Sequence, residues 1–358
     1  MAGNKNLNDA AKAKFDEFYT RLEDIEKECR HYKKFFRDKI ILCNCDDPYE
    51  SMFFQYFAMK FNSFGLKKLI SSSYAGSLIV QRELSFEGTP NEIENFDSKK
   101  NAYKANVTEF KDYNGDGKED LEDVKYFLQH HNGAIQKLYG DENFSAGDFR
   151  SPECIEFLKQ ADVVVTNPPF SLFREYVQQL IDFDKKFLII GNINCVTYKE
   201  IFPLIMQNKM WIGKSIHSGD RKFYVPDDYP LNAATCGIDE FGKRFIRVKG
   251  VRWFTNLDIK ERHEKFIFGY SYYDEPEKYP KYDGYDIIDV SKTSEIPSDY
   301  FGIMGVPITF LDKYNPDQFE ILGIANSARW IGYECLTKIN GKNIYNRVLI
   351  RRRKNFEN

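Results

Sequence analysis

Asn167-Pro168-Pro169-Phe170 follows directly on a run of β-branched residues, Val163-Val164-Val165. An asparagine side-chain oxygen and a proline carbonyl are two acceptors with no competing donor between them. Such a pair can hold both hydrogens of an aromatic amine and leave its lone pair to attack. The exocyclic amine of adenine is a weak nucleophile because its lone pair is delocalised into the ring, so it is the kind of group this turn suits. Phe170, an aromatic at the fourth position, can stack on a base lifted from a duplex. No covalent intermediate and no ionisable general base is needed if the methyl donor is a sulfonium. An isolated Asn-Pro-Pro also reads as a stiff loop, and it is the setting that favours chemistry. The valine run has the composition of a strand buried on both faces. The prolines end it, since they lack a donor and push the preceding residue to extended geometry. Phe173 to Ile181 then has apolar residues at helical spacing. In an open α/β sheet ligands collect outside the carboxyl ends of the strands, which is where Asn167 falls.

Other elements must position that corner. Ile40-Ile41-Leu42 reads as a strand, Ser51 to Phe64 as an apolar helix, and Leu66 to Ser71 as a second strand, a βαβ beginning. The first turn lacks a glycine fingerprint. It offers Asp46 and Asp47, whose carboxylates can take a ribose hydroxyl or an amino group, while Ser51 suits a helix cap. Cys43-x-Cys45 is too close for a zinc pair and has no second half, so no metal is assigned. Gly147-Asp148-Phe149 precedes a short helix, Pro152 to Gln160. Asp148 can accept an adenine amine while Phe149 covers the ring; a plain turn aspartate is the equal alternative. Lys12 to Arg37 reads as a charged amphipathic helix. Leu78-Ile79-Val80 and Asn106 to Phe110 read as a hairpin. Lys186 to Gly191 is another buried strand, and Tyr198 to Asn208 a helix. Lys222 to Pro226 and Arg244 to Val248 are expected to add antiparallel edge strands, with Gly250 to Asp258 the last.

Asp112 to Asp123 carries oxygens and glycine in calcium-loop order but ends in Asp123 rather than a bidentate glutamate. A glycine turn leading into an acidic helix start explains the same residues and is preferred over calcium.

The formal charge of −3 excludes a uniformly basic coat but not a local basic face. An aromatic content of 16% supplies both core and stacking surfaces. The seven cysteines read as reduced intracellular thiols, and no apolar run approaches membrane-spanning length, so a cytoplasmic location is expected.

With these stretches in order, the chain resembles the EcoRI-type adenine-specific DNA methyltransferases. Asp16 to Thr20, Cys43 to Pro48, Gly147 to Ser151, Val165 to Glu175, Lys185 to Asn192, Arg252 to Leu257 and Gly305 to Leu311 carry the resemblance. It implies a Rossmann-like α/β fold, S-adenosyl-L-methionine as donor, and methylation of a flipped adenine in double-stranded DNA. It places the catalytic motif at Asn167, Pro168, Pro169 and Phe170. Cofactor contacts fall on Tyr19, Thr20, Asn44, Asp46, Asp47, Asp148, Phe149 and Asn167. A catalytic domain over 1–259, with an insertion about 77–146, and a target-recognition region over 260–358 are expected. Aromatics around Tyr270 to Tyr285 and the basic end, Arg347 and Arg351 to Lys354, suit DNA there. A cognate restriction endonuclease acting on the same site is a further expected partner, and no membrane is. RNA, a protein glutamine, or non-catalytic DNA binding are the alternative readings.

Overall fold

The computed structural model describes residues 20–48, 51–74, 102–131, 134–217, 219–225, 236–325 and 337–354. The elements in chain order are α1 (Leu22–Cys29), β1 (Ile40–Asn44), α2 (Met52–Met59), α3 (Phe61–Phe64), β2 (Lys68–Ser72), β3 (Ala102–Val107), α4 (Leu121–His130) and β4 (Ile135–Leu138). Then come α5 (Pro152–Gln160), β5 (Val163–Thr166), α6 (Phe173–Asp182), β6 (Lys186–Asn192), α7 (Phe202–Met206) and β7 (Trp211–Ile212). The remainder is strands: β8 (Asp220–Tyr224), β9 (Cys236–Ile238), β10 (Arg244–Lys249), β11 (Val251–Thr255), β12 (Ile287–Asp289), β13 (Ile303–Pro307), β14 (Phe319–Ala325), β15 (Lys338–Ile339), β16 (Lys342–Asn343) and β17 (Arg347–Arg352). They form two compact units, Met1–Ile193 with Ser218–Leu257, and Asn194–His217 with Asp258–Asn358.

The first unit is a mixed sheet in the order β4-β3-β2-β1-β5-β6-β11 with helices against it. β2, β1, β5 and β6 are parallel, whereas β3 and β11 run antiparallel to their neighbours. Every residue of β5 is buried, as its valines require. The apolar helix breaks at Lys60 into α2 and α3, and Gly65 ends it with φ +65. Phe53 of α2 meets Trp253 of β11 edge-on, ring centroids 5.8 Å apart. On α6 the buried residues Phe173, Tyr176, Val177 and Leu180 follow helical spacing toward the sheet.

Several expectations are corrected. The first helix covers only Leu22–Cys29 among the described residues; a 3-10 turn, Lys33–Phe35, follows and turns Tyr32 and Phe36 inward. Residues 78–80 lie outside the described residues, and β3 pairs instead with β2 and β4. The helix expected over Tyr198 to Asn208 is limited to α7, preceded by a 3-10 turn over Ile193–Thr197. β8 and β10 do not extend the central sheet: β11 takes the place beside β6, and β10 pairs on its two sides with β8 and β9 in a separate three-stranded sheet.

The Asp112–Asp123 loop is a turn followed by a capped helix. Asp112 accepts the Gly115 and Gly117 N–H groups at 2.6 and 2.7 Å. Asp120 and Asp123 form a capping box on α4, and Asp123 also accepts the Tyr113 and Asn114 N–H groups. No group of three or more His, Cys, Asp or Glu side chains suited to a metal occurs among the described residues.

The second unit holds the four-stranded sheet β12-β13-β17-β14 and the β15–β16 pair. Part of the expected basic end is strand: Arg347 pairs with buried Asp289 at 2.9 Å, and Arg351 with Glu320 at 2.8 Å. Among the aromatics, Tyr279 and Tyr282 are buried and Tyr273 is exposed. No helix among the described residues is long and apolar enough to cross a membrane.

Candidate active site

The chain leaves β1 on one side to make β2 and returns on the other as β5, so the strand order reverses between β1 and β5. A crevice opens at such a reversal, at the carboxyl ends of the strands. Asn44 ends β1 and Thr166 ends β5, which brings the first turn and the Asn-Pro-Pro corner together.

The first turn does without glycine because Cys45 itself takes a left-handed conformation, φ +64. Asp46 then points inward and is buried. One carboxylate oxygen accepts the Ser51 hydroxyl at 2.6 Å, and the other lies against the Thr166 hydroxyl, which also approaches the Asn44 carbonyl. The Ser71 hydroxyl donates to the Asp46 carbonyl, and the Asp46 N–H donates to Ser72 O at 3.0 Å. Asp46 is thus built into the scaffold, tying β1, β2, α2 and β5 at one point. Asp47 is half-buried and accepts the Tyr103 hydroxyl at 2.7 Å. Ser51 caps α2 by accepting the Phe53 N–H.

A second wall comes from the turn before α5. Asp148 is held by Arg150 through two parallel contacts of 2.9 and 2.8 Å, and it accepts the Arg150 N–H at 2.9 Å. Arg150 also reaches Glu175 on α6 at 2.9 Å, and these carboxylates raise its pKa further. Phe149 is buried edge-on against Tyr176, centroids 5.0 Å apart. The Tyr176 hydroxyl donates to the Asn44 side-chain oxygen, and burial pushes that phenol well above its usual pKa. Burial, and after it Asp46, likewise raise the Cys43 thiol, which keeps it inert. Gly147 (φ +78) passes so close to Ser73 O that an added Cβ would stand 1.8 Å away, so only glycine fits before Asp148.

At the corner itself Pro168 is buried, while Asn167, Pro169 and Phe170 are half-buried. Pro169 O accepts the Leu172 N–H at 3.0 Å, closing the 3-10 turn Phe170–Leu172. The Pro169 carbonyl is thus engaged within the turn. No member of the corner is ionisable. Thr20 is buried and its hydroxyl has no hydrogen-bond partner among the described residues; Tyr19 lies outside them.

Comparison with known proteins places the chain in a family. A family model described as "Adenine-specific methyltransferase EcoRI" matches residues 6–354. The chain belongs to this family of adenine-specific methyltransferases. It is 44% identical to "Type II methyltransferase M.EcoRI" of Escherichia coli, over 99% of this chain and 98% of that protein. It is 36% identical to "Type II methyltransferase M.MgeORF184P" of Mycoplasma genitalium and 35% to "Type II methyltransferase M.MpnI" of Mycoplasma pneumoniae. Each of these alignments spans at least 97% of this chain and 98% of the relative. No solved structure matches the chain significantly.

Within this methyltransferase Thr166 joins the end of β5 to Asn44 and Asp46, and Tyr176 joins Asn44 to Phe149, so the first turn, the turn before α5 and the Asn-Pro-Pro corner are held together. Sequence reasoning missed Thr166, Ser71, Tyr103, Arg150 and Tyr176, the side chains that hold the expected ones. Thr166 had a usable signal, as the polar residue ending an otherwise apolar strand.

Proposed function

We propose that this methyltransferase transfers a methyl group from S-adenosyl-L-methionine to the exocyclic N6 amine of an adenine turned out of duplex DNA. The observation that carries the reading is the Thr166 hydroxyl against Asn44 and Asp46, which fixes the Asn-Pro-Pro corner beside the turn after β1. A Rossmann-like methyltransferase arrangement is supported by the parallel β2-β1-β5-β6 core with antiparallel β11 at its side.

The residues present suit such a donor. Asp47 stands at the first turn, where a ribose or amino group would sit, and buried Thr20, whose hydroxyl has no partner among the described residues, suits a polar ligand there. Asn44, Asp148 and Phe149 supply the rest of the cofactor wall; Asp46 acts through the scaffold, by holding the turn. The bound sulfonium supplies an electrophilic methyl group. Asn167 Oδ1 and the Pro168 carbonyl accept the two amine hydrogens, which lets the amine lone pair develop, and Phe170 stacks on the base. The relatives' Type II label supports a role beside a restriction endonuclease that acts on the same site. The second unit is proposed to read the target sequence.

Asn167→Ala tests this. Methyl transfer into a random duplex library should fall by about 100-fold or more, with donor binding retained by calorimetry. Near-normal turnover, or wild-type methylation that appears in RNA or protein in place of duplex adenine, would overturn it.

A further inference from the structure

We propose that the outer face of the small sheet β8-β10-β9 grips the phosphate backbone of the duplex beside the catalytic corner. The proposal rests on the chain being a DNA methyltransferase and adds a surface to that reading.

Strand alternation gives this sheet two different faces, with Arg221 and Arg244 falling on the side of the buried residues. Phe223, Ile246 and Val248 are buried on one face. The register Phe245↔Tyr224, Arg247↔Lys222 and Lys249↔Asp220 sets the other. On that outer face Lys222 Nζ lies 4.3 Å from the Phe245 ring centroid and 4.8 Å from that of Tyr224. Arg247 lies 5.7 Å from the Phe245 ring, and Lys243, in the turn before β10, 5.6 Å from Tyr224. The rings hold the cationic side chains in place. Lys243, Arg247 and Lys249 are exposed.

Arg247 directly opposite Lys222 is a like-charge cross-strand pair, which destabilises a sheet. Asp239 relieves it in part, meeting Lys222 at 3.1 Å and Tyr224 at 3.0 Å. Lys222, Lys243, Arg247 and Lys249 on or beside this face outnumber Asp220 and Asp239, and such a cationic surplus on a chain of net charge −3 suits an external polyanion.

Position argues for the same partner. β10 passes through Gly250 (φ +73) straight into β11, whose first residue pairs with Asn192 at the carboxyl end of β6. Asn192 Nδ2–H donates to Lys249 O at 2.8 Å, and Ile193 N–H to Gly250 O at 2.6 Å. Thr166 pairs with Ile189 on that same strand, about 10 Å back along it. The cationic face is therefore rooted at the sheet edge that carries Asn167.

The test is the salt dependence of binding to a fluorescent duplex of mixed sequence. Arg247→Gln with Lys249→Gln should make the log–log slope shallower by about 2, about 0.9 per lost phosphate contact. Arg247→Lys with Lys249→Arg should keep the wild-type slope, and Lys125→Gln on α4 should do so too. An unchanged slope in the Gln pair overturns the proposal. So does an equal loss in the charge-conserving pair, which would mean packing. A change in sedimentation of the free protein with an unchanged DNA slope also overturns it, and would make this face a contact between two copies. If the wild type neither binds nor methylates duplex DNA, the functional reading fails with it; if the wild type does both and only the slopes disagree, this surface alone fails.

Discussion

At the scale of single residues, the corner is governed as much by what holds Asn167 as by Asn167 itself. Thr166 is fully buried and offers its one hydroxyl hydrogen to two acceptors, the Asn44 carbonyl and the Asp46 carboxylate. Thr166→Val keeps the shape and removes that donor, leaving a buried carboxylate oxygen short of a partner. A loss of about 1–3 kcal/mol in urea unfolding is expected. Transfer should also slow more than donor affinity weakens, because the catalytic turn loses its tether. Equal stability and activity would show that Asp46 is satisfied otherwise. The motif Asn167 to Phe170 was legible in the sequence because its chemistry lies in consecutive residues. The role of Asp46 was not. An aspartate after a strand reads as a ligand for sugar or amine, and only the partners Ser51 and Thr166, far apart in the chain, turn it into a brace.

Elements show the same division between local and distant causes. α5 begins at Pro152 with Ser151 as its cap and ends at Gln160, as its own residues dictate. The loop before α4 is also locally determined. Asp123 accepts three backbone N–H groups, from Asp120, Tyr113 and Asn114, and although burial raises its pKa, these bonds lower it on balance. Asp123→Ala should therefore destabilise the protein by about 1–2 kcal/mol, the range for a lost helix cap. The melting temperature should fall by the same amount with or without a calcium chelator; a chelator effect on the wild type alone would mean that the loop holds calcium. β8 and β10 went differently. Their sequences are those of half-buried antiparallel strands, but nothing in them says which sheet they join.

For the whole molecule, long-range pairs close each unit. In the second unit His263 bridges Asp317 at 2.6 Å and Asp258 at 3.0 Å, joining the start of the segment Asp258–Asn358 to the approach to β14. Burial opposes its charge, but the hydrogen bonds to Asp317 and Asp258 outweigh this and raise its pKa. A raised folded-state pKa contributes stability that is complete below the unfolded value, about 6.5, and is lost as pH rises through the folded one. The melting-temperature gap between wild type and His263→Gln should be wide at pH 6 and narrow at pH 9. A gap independent of pH would remove the charge from the account. In the first unit Asp239 behaves oppositely. Burial would raise its pKa, yet hydrogen bonds from the Lys243 N–H, Lys222 and Tyr224 hold it at about 2. Its share of stability is present above the unfolded value and is lost as pH falls through about 2.

The sequence by itself determined the buried valine strand, its proline stop, the helices at α5 and α6, and the acceptor pair that suits an aromatic amine. Periodicity, backbone donors and carbonyl positions are properties of neighbouring residues, and neighbours are what a sequence displays. Only the tertiary structure decided that Cys45 bends where glycine was missing, that Asp46 is a brace, and that the end of β10 is tied to the carboxyl end of β6. Those outcomes depend on which strands pair across gaps of a hundred residues and more, where the hydrophobic effect rewards burial without specifying the partner.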